Sequence, residues 1–309
     1  MLIDSMLIVK AIVYSISIAL GATGVTIIYN ATKTFNFAHS SMVGWGVYVV
    51  FAFFFLFKGL PQIYFPIAFI FSGLLGVATY FTVNRRLIMA KASDINLMMS
   101  TLGVDLILFA FLNIFADYLL YAHKISIAKN FVLETWDPYL SIFGVSVRLT
   151  WVIAPIVFVM IFLFIHFMFS KTRIGVAMRA TIENPALAQI QGINPDVVYL
   201  TSWFLGGGLA GLSGGILAMT FTGRPSIGME VVVTFFAGAI VGGLETVYGG
   251  FLGGFLVGLS EYILPAMLAP TVGSWINSYK MIIPLSIMVI TLLIRPSGLG
   301  IMIKRRVRI

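Results

Sequence analysis

Long apolar runs separated by short polar breaks follow one another along the whole chain. Most are close to the ~20 apolar residues that a helix needs to span the hydrocarbon core of a bilayer. A helix also satisfies the backbone polar groups of such a run without water. None of the runs shows the two-residue alternation of the ~10-residue strands in a membrane barrel. The runs lie at about 6–29, 36–57, 62–83, 96–121, 148–169, 198–220, 231–247, 249–269 and 279–295.

This pattern predicts an all-α, polytopic transmembrane helical bundle of about eight to ten spans, folded as a single domain over residues 1–309. The number of spans depends on two runs. Run 231–247 is short and contains glycine, and run 36–57 has a polar start. We expect broken or re-entrant helices in these two places, because transporters commonly contain them.

The composition agrees with a membrane protein. Hydrophobic residues make up 60% of the chain and charged residues 10%, whereas soluble domains have about 45–50% and about 25%. So apolar a chain is not soluble, and it is not disordered, because disorder requires low hydrophobicity and high charge. The absence of cysteine excludes a disulfide scaffold. We therefore expect the chain to be embedded in membrane lipid.

The net charge of +8 is explained better by the excess of Lys and Arg on the cytoplasmic side of membrane proteins than by binding of nucleic acid. Basic residues cluster in the breaks at 84–95 and 170–197 and in the tail from 296. We expect these segments in the cytoplasm and the loop at 121–147 outside. The prediction is a multi-pass protein of the cell (plasma) membrane with a cytoplasmic C-terminus and no nucleic-acid partner.

Glycines recur at every fourth position in two of the runs, which aligns them on one helix face. In lipid, faces of small residues let helices pack closely, so we expect helix packing at both stripes. Small residues are also frequent in segments 21–46 and 206–258, which raises the question of two related halves, although the segments do not align. The stripes are Gly207, Gly211 and Gly215, and Gly250, Gly254 and Gly258.

Ionisable side chains within apolar runs are costly, at roughly 2.5–3.5 kcal/mol each, and are therefore candidates for a translocation pathway. Asp105 lies in the middle of run 96–121 and is either a buried polar contact or a pathway residue. Glu245 and Glu261 flank the glycine-rich helix, and Lys280 opens the last run. With scattered histidines, no cysteine and no Ser/His/Asp arrangement, we expect neither a metal site nor enzyme chemistry.

The break at 170–197 contains signals for a short helix at about 185–191. Asn184 is a good N-cap, Pro185 suits the first helical position, and Gly192 suits the position just past the end. Leu187 and Ile190 lie on one face. So short a helix is unstable alone and requires a docking surface, either as an ordinary amphipathic connector or as a contact for a soluble motor.

Several segments, in order from about residue 20 to 300, resemble branched-chain amino acid ABC transporter permeases of the LivH/LivM group, on the LivH side. Ala188-x-x-x-Gly192 resembles part of the importer coupling motif, although Ala186-Leu187-Ala188 stands where that motif has Glu-Ala-Ala. The other matching segments are Phe35–His39 followed by Gly44, Arg179-Ala180, Gly192-Ile193-Asn194, Pro225–Gly228, Gly242-Gly243-Leu244, Gly249-Gly250 and Arg295–Leu299.

The resemblance implies a permease subunit of an ABC importer that moves a small polar solute inward by alternating access, with branched-chain amino acids as the expected solute. The implied partners are ABC ATPase subunits, a second permease subunit or homodimer partner, and an extracytoplasmic solute-binding protein. The chain has no G-x-x-x-x-G-K-[ST] phosphate loop, so we expect it to bind no cofactor and its partners to use the ATP. Two alternatives are a urea or short-amide ABC permease, and a stand-alone channel or secondary transporter.

The resemblance also assigns roles to residues. Segment 170–197 becomes the cytoplasmic coupling loop, and its candidates for contact with the ATPase are Arg179, Glu183, Asn184, Pro185, Leu187, Ala188, Ile190 and Gly192. The candidates for the translocation pathway are Asn36, His39, Asp105, Gly242 and Gly243. Asn36 could instead cap a helix, and the stretch Gly238–Gly243 could serve close packing.

Overall fold

A computed structural model describes residues 5–142 and 145–300 and is dominated by helices. Every predicted apolar run is a helix, which confirms the all-α bundle. The helices are α1 (Ser5–Thr32), α2 (His39–Phe57), α3 (Phe65–Thr79), α4 (Arg85–Met89), α5 (Asp94–Tyr121), α6 (Leu149–Lys171), α7 (Arg173–Glu183), α8 (Pro185–Ile190), α9 (Pro195–Ala218), α10 (Ile227–Gly242), α11 (Val247–Val272) and α12 (Ile282–Ile294). A two-stranded hairpin, β1 (Tyr139–Ile142) and β2 (Val145–Arg148), precedes α6.

Within the described residues, seven helical stretches are long and apolar enough to cross a membrane. One of them, Pro61–Met89, joins α3 to α4 through a π-helical turn at Tyr80–Asn84. The two remaining apolar helices are shorter, with 16 residues in α10 and 13 in α12. The shortness of α10 matches the expectation for run 231–247, whereas the shortness of α12 was not predicted from the sequence.

The bundle has two polar ends. One end carries α7 and α8, and we call it the short-helix end. Arg85 lies at this end, where it forms an ion pair of 2.9 Å with Asp196. The other end carries β1 and β2, and we call it the hairpin end. Lys10 lies at this end, where it forms an ion pair of 3.3 Å with Glu134. The long helices run between these ends, so α1 starts at the hairpin end and finishes at the short-helix end.

Two helices begin inside the bundle instead of at an end. Nε2 of His39, in the first turn of α2, donates a hydrogen bond of 3.0 Å to the Gly21 carbonyl oxygen. Gly21 lies eleven residues before Thr32, the last residue of α1, which is about 16 Å at 1.5 Å per residue. Gly228, at the start of α10, packs against the Ser40 backbone at the same depth. Runs 36–57 and 231–247 are therefore the interrupted helices that we expected.

The two halves of the chain have the same helix arrangement with opposite directions. The helices α1, α2, α3 and α5 of the first half correspond to α9, α10, α11 and α12 of the second. The contacts correspond as well, since α3 packs on α9 as α11 packs on α1, and α5 packs on α2 as α12 packs on α10. The helices α1 and α9 are almost entirely buried at the centre, whereas α5 and α6 are mostly exposed at the periphery. This arrangement answers the question of two related halves, which the sequence alone left open.

The glycine stripes are the contact faces of this arrangement, as predicted. A Cβ atom on Gly207 of α9 would lie 2.6 Å from the Ser72 carbonyl oxygen of α3. A Cβ atom on Gly254 of α11 would lie 2.7 Å from the Ala19 Cα of α1. Only glycine permits such approach of the backbones. In lipid, close packing of this kind replaces the hydrophobic driving force between helices.

The hairpin begins in the segment 121–147 and ends at Arg148. It was not predicted from the sequence. Tyr139 pairs with Arg148 across the two strands. Beside it, the Asp137 carboxylate accepts a hydrogen bond of 2.6 Å from the Gln62 side chain. Burial raises the pKa of the Asp137 carboxyl, although its hydrogen bonds from Thr150 and Gln62 oppose the effect. The segment thus folds onto the bundle as a packed cap.

Candidate functional site

The predicted coupling loop consists of the two short helices α7 and α8. Only α8 was predicted from the sequence. The hydroxyl of Thr172 caps α7 by accepting a hydrogen bond of 3.1 Å from the Gly175 amide. The Arg179 guanidinium donates to the Phe169 carbonyl oxygen at the end of α6. Cationic groups at a helix C-terminus interact favourably with its macrodipole. Arg179 therefore fixes α7 to the membrane helix that precedes it.

The short helix α8 has the capping that its sequence predicted. The Asn184 Oδ1 atom accepts hydrogen bonds of 3.0 and 3.1 Å from the Ala186 and Leu187 amides. Pro185 occupies the first position. Gly192 follows the helix with φ +81°, the left-handed region that favours glycine. Its local residues alone thus determine where α8 begins and ends.

The outer face of α8 is apolar and has no cover in the described part of the chain. Leu187 is 60% exposed and Ile190 is 79% exposed, whereas Ala188 is buried against the loop. Beside them, Glu183 and Asn184 line a shallow groove of about 200 Å³ between α7 and α8. Two exposed aliphatic side chains next to a groove form a surface that a partner protein could cover.

The loop leads into α9 through a polar connection. Asp196, in the first turn of α9, accepts a hydrogen bond of 3.0 Å from the Tyr80 hydroxyl. Its Oδ2 atom accepts two hydrogen bonds, of 3.1 and 2.9 Å, from the Arg85 guanidinium. Hydrogen bonds between a guanidinium and a carboxylate are charge-assisted and stronger than neutral ones. These contacts join the start of α9 to the end of the α3–α4 stretch.

Asp105 lies where α2 begins inside the bundle. Its Oδ1 atom accepts hydrogen bonds of 2.7 Å from the Ser40 hydroxyl and 3.1 Å from the Ser41 amide. The Ser41 hydroxyl donates to the Asp105 carbonyl oxygen at 3.0 Å. A carboxylate near a helix N-terminus stabilises it. Asp105 thus makes a buried polar contact, and its role in a pathway stays a prediction.

Asn36 and His39 belong to the same cluster. The Asn36 Oδ1 atom accepts a hydrogen bond of 3.1 Å from the Ala38 amide in the turn before α2, and the N-cap position of α2, Ala38, has no side-chain cap. His39 is fully buried. No donor or acceptor from the described residues reaches its Nδ1 atom. The structure therefore brings three of the predicted pathway residues together at the start of α2.

Gly242 and Gly243 lie away from this cluster, at the short-helix end. The Gly242 carbonyl oxygen accepts a hydrogen bond of 2.7 Å from the Gly300 amide, and Gly243 has φ +93°. Gly242 is also in close backbone contact with Gly249. The geometry is that of close packing, and a part in the pathway stays a prediction. The helix end that lies inside the bundle is instead the start of α10 at Ile227.

A pocket at the hairpin end was not predicted. It has a volume of about 250 Å³, and both Glu261 and Lys280 line it. The sequence showed these two residues only as charges in or beside apolar runs, because the chain between them gives no sign that they share a cavity. Within residues 5–142 and 145–300, no three His, Cys, Asp or Glu side chains gather as metal ligands would.

Comparison with known proteins identifies the family. The model of the branched-chain amino acid transport system permease component matches residues 7–292. The chain is 35% identical over 296 residues to a probable branched-chain amino acid transport permease protein LivH of Methanocaldococcus jannaschii, covering 96% of this chain and 92% of the relative.

Two bacterial relatives are more distant. The high-affinity branched-chain amino acid transport system permease protein LivH of Salmonella typhimurium is 22% identical, and BraD of Pseudomonas aeruginosa, with the same description, is 24% identical. Each match covers 91% of this chain and 90% of the relative. No solved structure gives a significant match. The chain is thus a multi-pass membrane protein that belongs to the branched-chain amino acid transport permease family and is LivH-like.

Proposed function

We propose that this chain is the membrane-spanning subunit of an ABC importer that moves branched-chain amino acids inward by alternating access. In this proposal, ATP is hydrolysed by partner ATPases at the short-helix end, and an extracytoplasmic binding protein delivers the solute at the hairpin end. The short-helix end and the C-terminus are cytoplasmic. A second permease subunit, or a second copy of this chain, completes the transporter.

The observation that carries the proposal is the uncovered apolar face of α8 on a loop fixed to two membrane helices. Leu187 and Ile190 are exposed, and Arg179 and Asp196 join the loop to α6 and to the α3–α4 stretch. A connector without a partner gains nothing from two aliphatic side chains in water. An ATPase that covered them could move α6 and α9 through these contacts.

The opposite directions of the two halves support alternating access. Inverted halves give a transporter two equivalent conformations that open to opposite sides. ATP-driven closure of the ATPases displaces α7 and α8, and the attached helices α6 and α9 tilt. A differential interaction of a few kcal/mol suffices to change the open side, since about 5.5 kcal/mol moves an equilibrium from 1:99 to 99:1.

The cluster of Asn36, His39 and Asp105 is our candidate for the pathway. It lies at mid-depth, where α2 and α10 both begin, and interrupted helices line transport pathways in many transporters. The buried His39 ring has an Nδ1 atom that no described residue reaches. Gly242 and Gly243 remain weaker candidates because of their close packing.

Two other functions compete with this proposal. A urea or short-amide ABC permease would use the same coupling surface with an uncharged solute. A stand-alone channel or secondary transporter would need no ATPase, and its support is the presence of carboxylates within the helices, such as Asp105 and Glu261. The exposed face of α8 favours the importer over this second class.

The coupling role is tested by the double substitution Leu187→Ser and Ile190→Ser in the complete transporter. Loss of exposed apolar anchors from a protein interface costs on the order of 1–2 kcal/mol each. We therefore expect ATP-driven leucine uptake in proteoliposomes to fall by about tenfold or more. Insertion of the chain should be unchanged, because both side chains are exposed.

Leu187→Met with Ile190→Leu is the matched control, since it keeps two apolar side chains at the same exposed positions. It should leave uptake unchanged. Normal ATP-driven uptake by the double variant would refute the coupling role of α8. Robust uptake by the purified chain without ATPases would favour a secondary transporter.

A further inference from the structure

The pocket at the hairpin end contains two opposite charges, one of them inside a membrane-spanning helix. Glu261 lies in α11 and is only 2% exposed. Lys280 precedes α12 and lines the same pocket. A charge inside a membrane-spanning helix costs several kcal/mol, so a functional reason is expected for Glu261. Residue Tyr14 of α1, opposite Glu261, forms part of the wall.

Each charge has a partner, but the two charges are not paired with each other. The Glu261 Oε2 atom accepts a hydrogen bond of 2.7 Å from the Tyr14 hydroxyl. The Lys280 ammonium lies 5.1 Å from the centre of the Phe221 ring, a cation–π contact. Among the ion pairs of the described residues, none joins Lys280 to Glu261. Both residues line the pocket, so a ligand bound there could contact each of them.

Apart from Asn277 and the hydroxyl groups of two tyrosines, the remaining walls are apolar, and the space is small. Pro265, Ala266 and Leu7 line the pocket beside the charges. Its volume of about 250 Å³ is below the roughly 300–1,000 Å³ of pockets for drug-sized ligands. A matching ligand is a small molecule with one positive group, one negative group and an aliphatic part.

We propose that this pocket binds a zwitterionic amino acid as it enters from the hairpin end, with its ammonium group at Glu261 and its carboxylate at Lys280. The aliphatic side chain then lies against Pro265 and Ala266. The proposal rests on the proposed function for the side from which the solute arrives. It also separates the two cargo classes, because urea and short amides carry no charge for either group.

The absence of cysteine from the chain permits a direct test. Ala266→Cys places one thiol in the pocket of the complete transporter, in right-side-out membrane vesicles that lack the binding protein. The rate of reaction with a membrane-impermeant maleimide is then measured on this chain. L-leucine at ten times its Kd should slow the reaction by about tenfold, since the free fraction falls as 1/(1 + [L]/Kd).

Three other probes define the ligand class. The leucine analogue without the amino group, 4-methylpentanoate, and the analogue without the carboxylate, 3-methylbutylamine, should each protect at least tenfold less well than leucine, since each leaves one charge unpaired. Urea should not protect. Adding Glu261→Gln or Lys280→Gln to the Ala266→Cys variant should likewise weaken protection by leucine about tenfold or more.

Ser278→Cys is the control, because Ser278 is exposed near the pocket without lining it; it should react whether or not leucine is present. If Ala266→Cys disturbs folding, Asn277→Cys gives a second thiol in the pocket, at an exposed position. Three results would overturn the proposal: no reaction of the pocket thiol, no protection by leucine, or equal protection by urea. Leucine protection does not need ATP, so failure of the importer proposal would show separately, as the absence of ATP-driven uptake.

Discussion

At the scale of single residues, Asp105 connects two helices that are far apart along the chain. It holds the Ser40 hydroxyl and the Ser41 amide of α2 from its position in α5. Removing one partner leaves a buried donor without an acceptor, which costs about 1–3 kcal/mol. Its contacts are structural, and the pathway role that we propose comes in addition to them.

Two substitutions of Asp105 separate these roles. Asp105→Ala removes the acceptor, so the free energy of unfolding should fall by about 1–3 kcal/mol, measured as a lower melting temperature of the purified chain. Asp105→Asn keeps an acceptor oxygen and should cost less stability, yet it should lower leucine uptake. Normal uptake by Asp105→Asn would show that the residue is only structural. The control is Asp117→Asn, which affects a half-exposed ion pair with Lys129 worth about 0–1 kcal/mol.

At the scale of helices, the direction of each element explains its packing. The stripes on α9 and α11 face α3 and α1, and their glycines remove the side chains that would separate the backbones. Packing of this kind is specific, because a single added methyl group has no space.

Gly254→Ala tests this packing. The added Cβ would lie 2.7 Å from the backbone of Ala19, so α1 and α11 must separate. Overpacking of this kind typically costs about 1–3 kcal/mol, which should appear as a lower melting temperature. Gly103→Ala in α5 is the control. Nothing lies within 4 Å of its Cβ position, and Ala stabilises a helix by up to about 1 kcal/mol relative to Gly. Equal melting temperatures for the two variants would contradict the packing.

At the scale of the whole molecule, the predictable features are those determined by nearby residues. The helices follow from their apolar runs, and α8 follows from Asn184, Pro185 and Gly192, which lie within nine positions. The helix α7 was missed although Thr172 caps it, because its polar and apolar residues do not form a long run. The hairpin was missed because its strands have only four residues each.

Features formed by distant residues could not be predicted in this way. Tyr14 and Glu261 meet in the pocket although 247 positions separate them. Ser40 and Asp105 are 65 positions apart. The inverted halves lack a sequence alignment, and only the directions of the packed helices reveal them. In each case the contact depends on the arrangement of the whole bundle.

The proposed function depends on α8 being a cytoplasmic contact for an ATPase, and the variant Ile190→Cys provides the sharpest test of this contact. The position is 79% exposed, and the chain has no other cysteine. We expect a membrane-impermeant maleimide to label this variant only in inside-out vesicles, and we expect bound ATPase subunits to protect it. Labelling in right-side-out vesicles, or labelling that the ATPases do not change, would show that α8 is not this contact.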